Sequence, residues 1–262
     1  MLKASCIRKT FFPGTPDEKK ALDGVDLNLA EGDFCIIIGS NGAGKTCLLN
    51  VISGNLIPDS GQVVIGGKDV SRLAVHKRAS YIARVFQDPT AGTAASMSVA
   101  ENLLLADLRG KTKRLRTGLT GQRRKEYAER LETLGLGLED RLDTPVNLLS
   151  GGQRQSLSLM MAVSNSPQVL LLDEHTAALD PRTAQIVLQA TVRTVERYHL
   201  TTLMVTHNMQ HGVDYGNRII MMAAGKIKLI IQGEEKKNTT VDDLISRFSV
   251  KEDRILLRNR EG

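Results

Sequence analysis

The run Phe34-Cys35-Ile36-Ile37-Ile38-Gly39-Ser40-Asn41-Gly42-Ala43-Gly44-Lys45-Thr46-Cys47-Leu48-Leu49 decides how the rest of the chain is read. Phe34 to Ile38 is an unbroken apolar stretch, which predicts a strand buried on both faces. Gly39 to Thr46 fits G-x-x-x-x-G-K-[ST], a phosphate-binding loop. Cys47, Leu48, Leu49, Val51 and Ile52 then open an apolar helical segment. Glycines let backbone N–H groups turn inward around phosphate oxygens where side chains would intrude. The following helix aims the positive end of its dipole at the same anion. Lys45 adds a point charge for the outer phosphates, and the Thr46 hydroxyl can reach Mg²⁺. A Gly-rich turn without a ligand is the alternative; the strand before and the helix after are the context that the phosphate reading requires.

Outward from this stretch, 262 residues suffice for one large or two modest domains. No run of 18 or more apolar residues occurs, so no transmembrane helix is expected. The start, Met1-Leu2-Lys3-Ala4-Ser5-Cys6, leads into no apolar segment, so no signal peptide is expected. Cys6, Cys35 and Cys47 are odd in number and lack metal-ligand spacing, which reads as reduced thiols in a cytosolic protein. A net charge of +6 permits contact with an anionic membrane surface or nucleic acid but argues for neither.

In chain order, Leu2 to Phe12 predicts a strand ending at the turn cluster Pro13-Gly14-Thr15-Pro16-Asp17. Val25, Leu27 and Leu29 alternate as in a half-buried strand, and Gln62 to Ile65 followed by Gly66-Gly67-Lys68 reads as a hairpin arm. Tyr81 to Phe86 is a further strand, stopped by Gln87-Asp88-Pro89. From Met97 to about Leu148 the pattern is helical, with Val99, Leu103, Leu104, Leu131, Leu134 and Leu136 as apolar positions. Inside it, Arg109 to Lys125 holds eight Lys or Arg and no acid, around a loop at Thr117 to Gly121. Such a run reads as a solvated face, with lipid-headgroup contact as the alternative. Val169 to Leu172 and Thr202 to Val205 read as strands, with a helix from Pro181 to Tyr198 between them whose apolar face is Ile186, Val187, Ala190 and Val195. Ile219 to Met222 and Lys226 to Ile231 form a last pair of strands. Thr240 begins a short helix with Val241, Leu244, Ile245 and Phe248 on one face.

Two further motifs extend the phosphate reading. Leu149-Ser150-Gly151-Gly152-Gln153 opens a helix, so a hydroxyl and two glycine amides form a second anion site at a helix N-terminus. Then Val169-Leu170-Leu171-Leu172-Asp173-Glu174 is a buried strand ending in two acids, suited to placing one carboxylate near Mg²⁺ and another near an attacking water.

From residue 2 to about 231 this set resembles the ATP-binding cassette (ABC) family of ATPases. By that resemblance Gly39 to Thr46 is the Walker A motif, Leu149 to Gln153 the signature, Leu170 to Glu174 the Walker B motif with the catalytic Glu, Gln87 the Q-loop, Ala178-Leu179-Asp180 the D-loop and His207 the switch histidine. Phe11 stands where the family stacks an aromatic on adenine, with Phe12 an equally available neighbour. His175 departs from the Pro that usually follows the catalytic Glu. His76, His175, His199 and His211 are read as ordinary surface or core histidines.

The implied fold is α/β: a P-loop NTPase (RecA-like) core with an antiparallel β subdomain and an α-helical insert. The implied division is a single ABC ATPase domain over 1–233, with the core and β subdomain in 1–87 and 166–233, the helical insert with the signature in 88–165, and a short helical extension in 234–262. The resemblance implies ATP and Mg²⁺ as ligands. Gly39, Ser40, Asn41, Gly42, Ala43, Gly44, Lys45, Thr46 and Cys47 would hold the phosphates, Thr46, Gln87 and Asp173 the metal, and Glu174 and His207 would be catalytic. One nucleotide does not need two phosphate sites from one chain, and the resemblance implies the family's arrangement: a head-to-tail dimer, each ATP lying between one chain's Walker A and the other's Ser150-Gly151-Gly152-Gln153, with Asp180 nearby. Asp173 to Asp180 is similar to bacterial importer ATPases that pair with branched-chain-amino-acid-type permeases, and indirectly with an extracytoplasmic binding protein, at the cytoplasmic face of the membrane. Asp143 to Leu148 lacks the Glu-Arg-Gly element that exporters often carry, which favours import. The alternatives are a soluble ABC ATPase working on nucleic acid or ribosomes, or the ATPase of an exporter; the former usually needs coiled-coil arms or two cassettes, so no nucleic acid is expected.

Overall fold

A computed structural model describes residues 1–109 and 118–247. It divides into two compact units: Met1–Arg78 with the chain from Thr201 onward, and Ala79–Leu200.

The first unit begins with β1 (Leu2–Phe11), β2 (Lys19–Leu29), β3 (Phe34–Ile38), α1 (Lys45–Ser53), β4 (Ser60–Ile65), β5 (Lys68–Asp69) and α2 (Val75–Arg78). β2, β1, β4 and β5 form an antiparallel sheet in that order. Gly66 and Gly67, at φ 55° and 78°, make the two-residue turn between β4 and β5. Two positive φ values define a hairpin turn whose twist matches the strands, and glycine supplies both without strain. All five residues of β3 are buried, as expected of a strand covered on both faces.

The second unit comprises β6 (Ile82–Val85), α3 (Val99–Asp107), α4 (Gly121–Glu132), two 3-10 turns (Glu139–Arg141 and Val146–Leu148), α5 (Gly151–Val163), β7 (Val169–Asp173) and α6 (Pro181–Arg197). β6 and β7 pair in parallel, Ile82 opposite Val169 through Val85 opposite Leu172. Ser98 and Glu101 close a capping box at the start of α3, and Thr120 caps α4. The fully buried Asn102 stitches the preceding loop to α3: its Oδ1 accepts from Ala94 N, and its Nδ2 donates to the carbonyls of Ala94, Met97 and Ser98. This unit gathers β6, β7 and α6 with the helices expected over 88–165. Residues 110–117 of the basic run lie outside the described residues.

The chain returns to the first unit with β8 (Thr202–Val205), α7 (Met209–Asp214), β9 (Arg218–Ala223), β10 (Lys226–Gln232) and α8 (Gly233–Asn238). β3 pairs in parallel with β8 on one side and β9 on the other, and β10 closes antiparallel on β9. Residues 241–247 are helical, and Thr240 and Asp243 cap that segment reciprocally.

Two apolar faces differ from the sequence reading. In α6 the buried stripe is Val187, Leu188, Ala190, Thr191, Thr194 and Val195, and Ile186 is exposed. Positions 187, 190, 191, 194 and 195 follow the i, i+3, i+4, i+7, i+8 spacing of one helix face, which 186 flanks. In the C-terminal segment Leu244 is buried and Ile245 exposed, while Phe248 lies outside the described residues.

Candidate functional site

In the first unit the loop Gly39 to Gly44 joins the end of β3 to α1. Its glycines are dictated by neighbours and backbone together. A Cβ at Gly39 would lie 2.3 Å from the Met222 carbonyl oxygen, and one at Gly44 only 2.5 Å from that of Ala21. Gly42 and Gly44 also hold φ 81° and 100°, the left-handed region. Ala43 is buried, and its carbonyl accepts from Gly225 N at 3.1 Å. Gly44 caps α1 with no side chain over the first helical amides. Lys45 is 5% exposed and folds back across the loop, donating to the carbonyls of Gly39 (2.8 Å) and Ser40 (3.1 Å). Ser40, Asn41 and Thr46 are exposed, and Cys47 is half-buried, its thiol pushed up to about 11 chiefly by burial.

Phe11 ends β1 at 36% exposure and Phe12 follows at 65%, so neither ring is core, and the Lys9 ammonium lies over the Phe11 ring at 6.0 Å from its centroid. His207 is exposed, in the loop between β8 and α7.

In the second unit, Gln87 is exposed just beyond β6, and the Phe86 carbonyl before it accepts from Gln155 Nε2 at 2.9 Å. Asp173 ends β7 at 8% exposure, with its Oδ2 2.5 Å from Arg84 Nη2. Glu174 follows at φ 44°, a left-handed backbone that a non-glycine residue adopts at a cost and that clusters at functional positions. His175 is buried; its ring Nε2 lies 3.0 Å from Thr191 Oγ1, whose own proton goes to the Val187 carbonyl. The turn after Glu174 is thereby tied to α6 by a side-chain bond. Asp180 caps α6 by accepting from Thr183 N at 3.0 Å, and the Thr183 hydrogen bonds hold its carboxyl below the usual range.

Ser150 and Gln153 form a capping box at the start of α5, and Gln153 Nε2 also donates to the Leu136 carbonyl. Gly152 is buried where α5 crosses α6: a Cβ there would lie 2.3 Å from Thr183 Cγ2. Helix packing therefore needs this glycine independently of any anion.

A family model described as ABC transporter matches residues 22–177. The chain belongs to the ABC transporter family. It is 43% identical over 248 residues to a tyrosine transport ATP-binding protein of Clostridioides difficile, covering 95% of this chain and 98% of that one. It is 34% identical over 223 residues to a methionine import ATP-binding protein, MetN 2, of Enterococcus faecalis, covering 84% of this chain and 61% of that relative. Among solved structures it is similar to the dimeric post-hydrolysis state of the ATP-binding cassette MJ0796 bound to ADP and Pi. There the TM-score is 0.74 at 29% identity, with 88% of this chain and 98% of that chain covered.

The ABC cassette is thus an ATP-binding ATPase subunit of a transporter, with the P-loop NTPase fold that its motifs implied. No helix among the described residues is long and apolar enough to cross a membrane. One feature of the cassette escaped the sequence reading. Arg84 pairs with Asp173 and stacks over Phe86 at 4.9 Å; its only signal was a cation inside an apolar strand. The second unit also holds a cavity of about 650 Å³, lined by Phe86, Gly92, Ala94, Leu105, Ser158 and Met161 among others, beside the small residues from Ala91 to Ser96 that leave room for a partner's helix.

Proposed function

We propose that this cassette powers a bacterial importer of amino acids or similar small solutes through a separate permease. The observation that carries the reading is the similarity, over nearly the full length of both chains, to a tyrosine transport ATP-binding protein. Resemblance to a methionine import protein supports the same solute class. The permease would receive solute from an extracytoplasmic binding protein, and the cassette would sit at the cytoplasmic face of the membrane.

In this reading Gly39 to Cys47 cradle the ATP phosphates and Lys45 turns its ammonium from the Gly39 and Ser40 carbonyls toward them. Phe11 stacks on adenine. Thr46, Gln87 and Asp173 are hard oxygen donors of the kind that suits Mg²⁺. The metal supplies charge neutralisation at the phosphates when bound. Glu174 takes a proton from the water that attacks the γ-phosphate, and His207 donates a hydrogen bond to that phosphate. Ser150, Gly151, Gly152 and Gln153 contact the nucleotide of a second copy, with Asp180 at the same interface. ATP is then part of the interface, and hydrolysis weakens it.

The cavity beside Ala94 is the proposed seat for a short permease helix, with small residues leaving room and Leu105 exposed at the wall. Residues 88–165 form the insert that carries both this seat and the signature. Uptake of labelled amino acids in a deletion strain tests the function, with tyrosine first. Loss of uptake restored by the parent chain but not by Glu174→Gln supports the proposal; uptake of every amino acid at the undeleted rate contradicts it.

A further inference from the structure

His211, in the first turn of α7, makes contacts that its sequence context does not announce. Its Nδ1 lies 3.1 Å from Thr206 Oγ1, and its Nε2 lies 3.2 Å from Asn208 Nδ2. Those two partners flank His207. Thr206 is itself buried, and its amide donates to the Ile37 carbonyl of β3 at 3.1 Å. Both ring nitrogens of one histidine therefore hold the residues on either side of the switch position.

The network admits one arrangement of protons. Asn208 Oδ1 accepts from Gln210 N at 2.9 Å as the cap of α7, which turns the amide's NH₂ toward the ring. An NH₂ only donates, so His211 Nε2 must be an acceptor without a proton. A neutral imidazole then carries its proton on Nδ1, and that N–H donates to Thr206 Oγ1, which also accepts from Asn208 N at 3.1 Å. An imidazolium would set a ring N–H against the Asn208 NH₂. Flipping the amide to relieve that conflict would give up the cap. Around the ring stand the edge of Tyr215, with centroids 6.1 Å apart, and the titratable groups Asp214 and His207. Burial and His207 outweigh Asp214 and hold the imidazole below its usual pKa, in keeping with a neutral ring.

We propose that His211 is a positioning residue for His207: a neutral Nδ1–H imidazole clasping Thr206 and Asn208 so that the loop between them holds one conformation. This rests on His207 contacting the γ-phosphate, as proposed above. A histidine that meets the γ-phosphate in the transition state must be held to a fraction of an ångström, and loosening it costs turnover more than ground-state binding.

Two measurements test it. The first is the long-range ¹H–¹⁵N imidazole spectrum of the ¹⁵N-histidine-labelled chain at neutral pH, with the His211 signals assigned by their loss in His211→Gln. A protonated Nδ1 and a bare Nε2 are expected; an Nε2–H tautomer or an imidazolium overturns the clasp.

The second is a double-mutant cycle in ATP turnover. His211→Phe should lower kcat roughly ten- to a hundred-fold with the KM for ATP little changed, and His211→Gln should follow the same pattern if the Phe variant does not fold. In the His207→Ala background the same substitution should cost nothing further. An equal loss in both backgrounds means that His211 acts on the fold and not through His207, and overturns the proposal. His207→Ala with parent turnover overturns the role of His207 itself, and this proposal with it, whatever tautomer is found. An Nε2–H tautomer alongside a defective His207→Ala overturns the clasp alone.

Discussion

Glu174 follows its strand in a left-handed backbone beside the buried, Arg84-paired Asp173. In the proposed role of general base it would remove a proton only during turnover, and Gln keeps its shape. Glu174→Gln should therefore keep ATP binding and lower kcat by at least about a hundred-fold, whereas Lys45→Ala should lose nucleotide binding, because it removes charge from the phosphate cradle. Isothermal titration with ATP and a phosphate-release assay separate the two. The thiols give an independent check. Cys6 is exposed, Cys47 is half-buried with its thiol pushed up to about 11, and Cys35 is fully buried with its thiol pushed higher. The thiolate is the reactive form, so iodoacetamide at neutral pH should label Cys6 first, Cys47 slowly and faster as pH rises toward 11, and Cys35 only on unfolding. At this scale the sequence was legible where local structure is written in contiguous residues: the glycine loop that leads into α1, the capping box of Ser150 and Gln153, and the buried strand that ends at Asp173. What it hid depends on partners far along the chain, such as Arg84 on Asp173 and His175 on Thr191.

Most strands could be read as elements because each is a short apolar run bounded by turn residues, and Thr202–Val205 is observed with the bounds expected. The faces of helices were less legible. The apolar pattern groups Ile186 with Val187 on one face of α6, but which of two adjacent apolar residues faces inward depends on what packs opposite. Arg78 is another such case. It is 1% exposed at the end of α2, and its guanidinium donates to the carbonyls of Val51 and Ile52 in the last turn of α1 and to those of Ser71 and Leu73. A cation at a helix C-terminus satisfies carbonyls that the helix leaves open. Arg78→Met keeps the apolar stem but strands these acceptors, so the urea midpoint should fall by an amount equivalent to about 2–4 kcal/mol. An unchanged midpoint would mean that water replaces the guanidinium.

For the whole molecule, the reading requires a membrane partner and a second copy. A charge in the cavity beside Ala94 should block the first without touching nucleotide. Ala94→Arg is expected to abolish co-purification with the co-expressed permease while ATP binding by the isolated chain stays at the parent level; full permease binding and transport would exclude this surface. Ser150→Arg should leave the first encounter with ATP intact and prevent pairing, since the proposal has Ser150 contact the partner's nucleotide. The most direct test of the ATP-sandwiched motor is the mass in solution of Glu174→Gln by gel filtration with light scattering, in Mg²⁺ with ATP and then with ADP. The account expects a dimer with ATP and a monomer with ADP; a monomer in both, or a dimer that ignores the nucleotide, would contradict it.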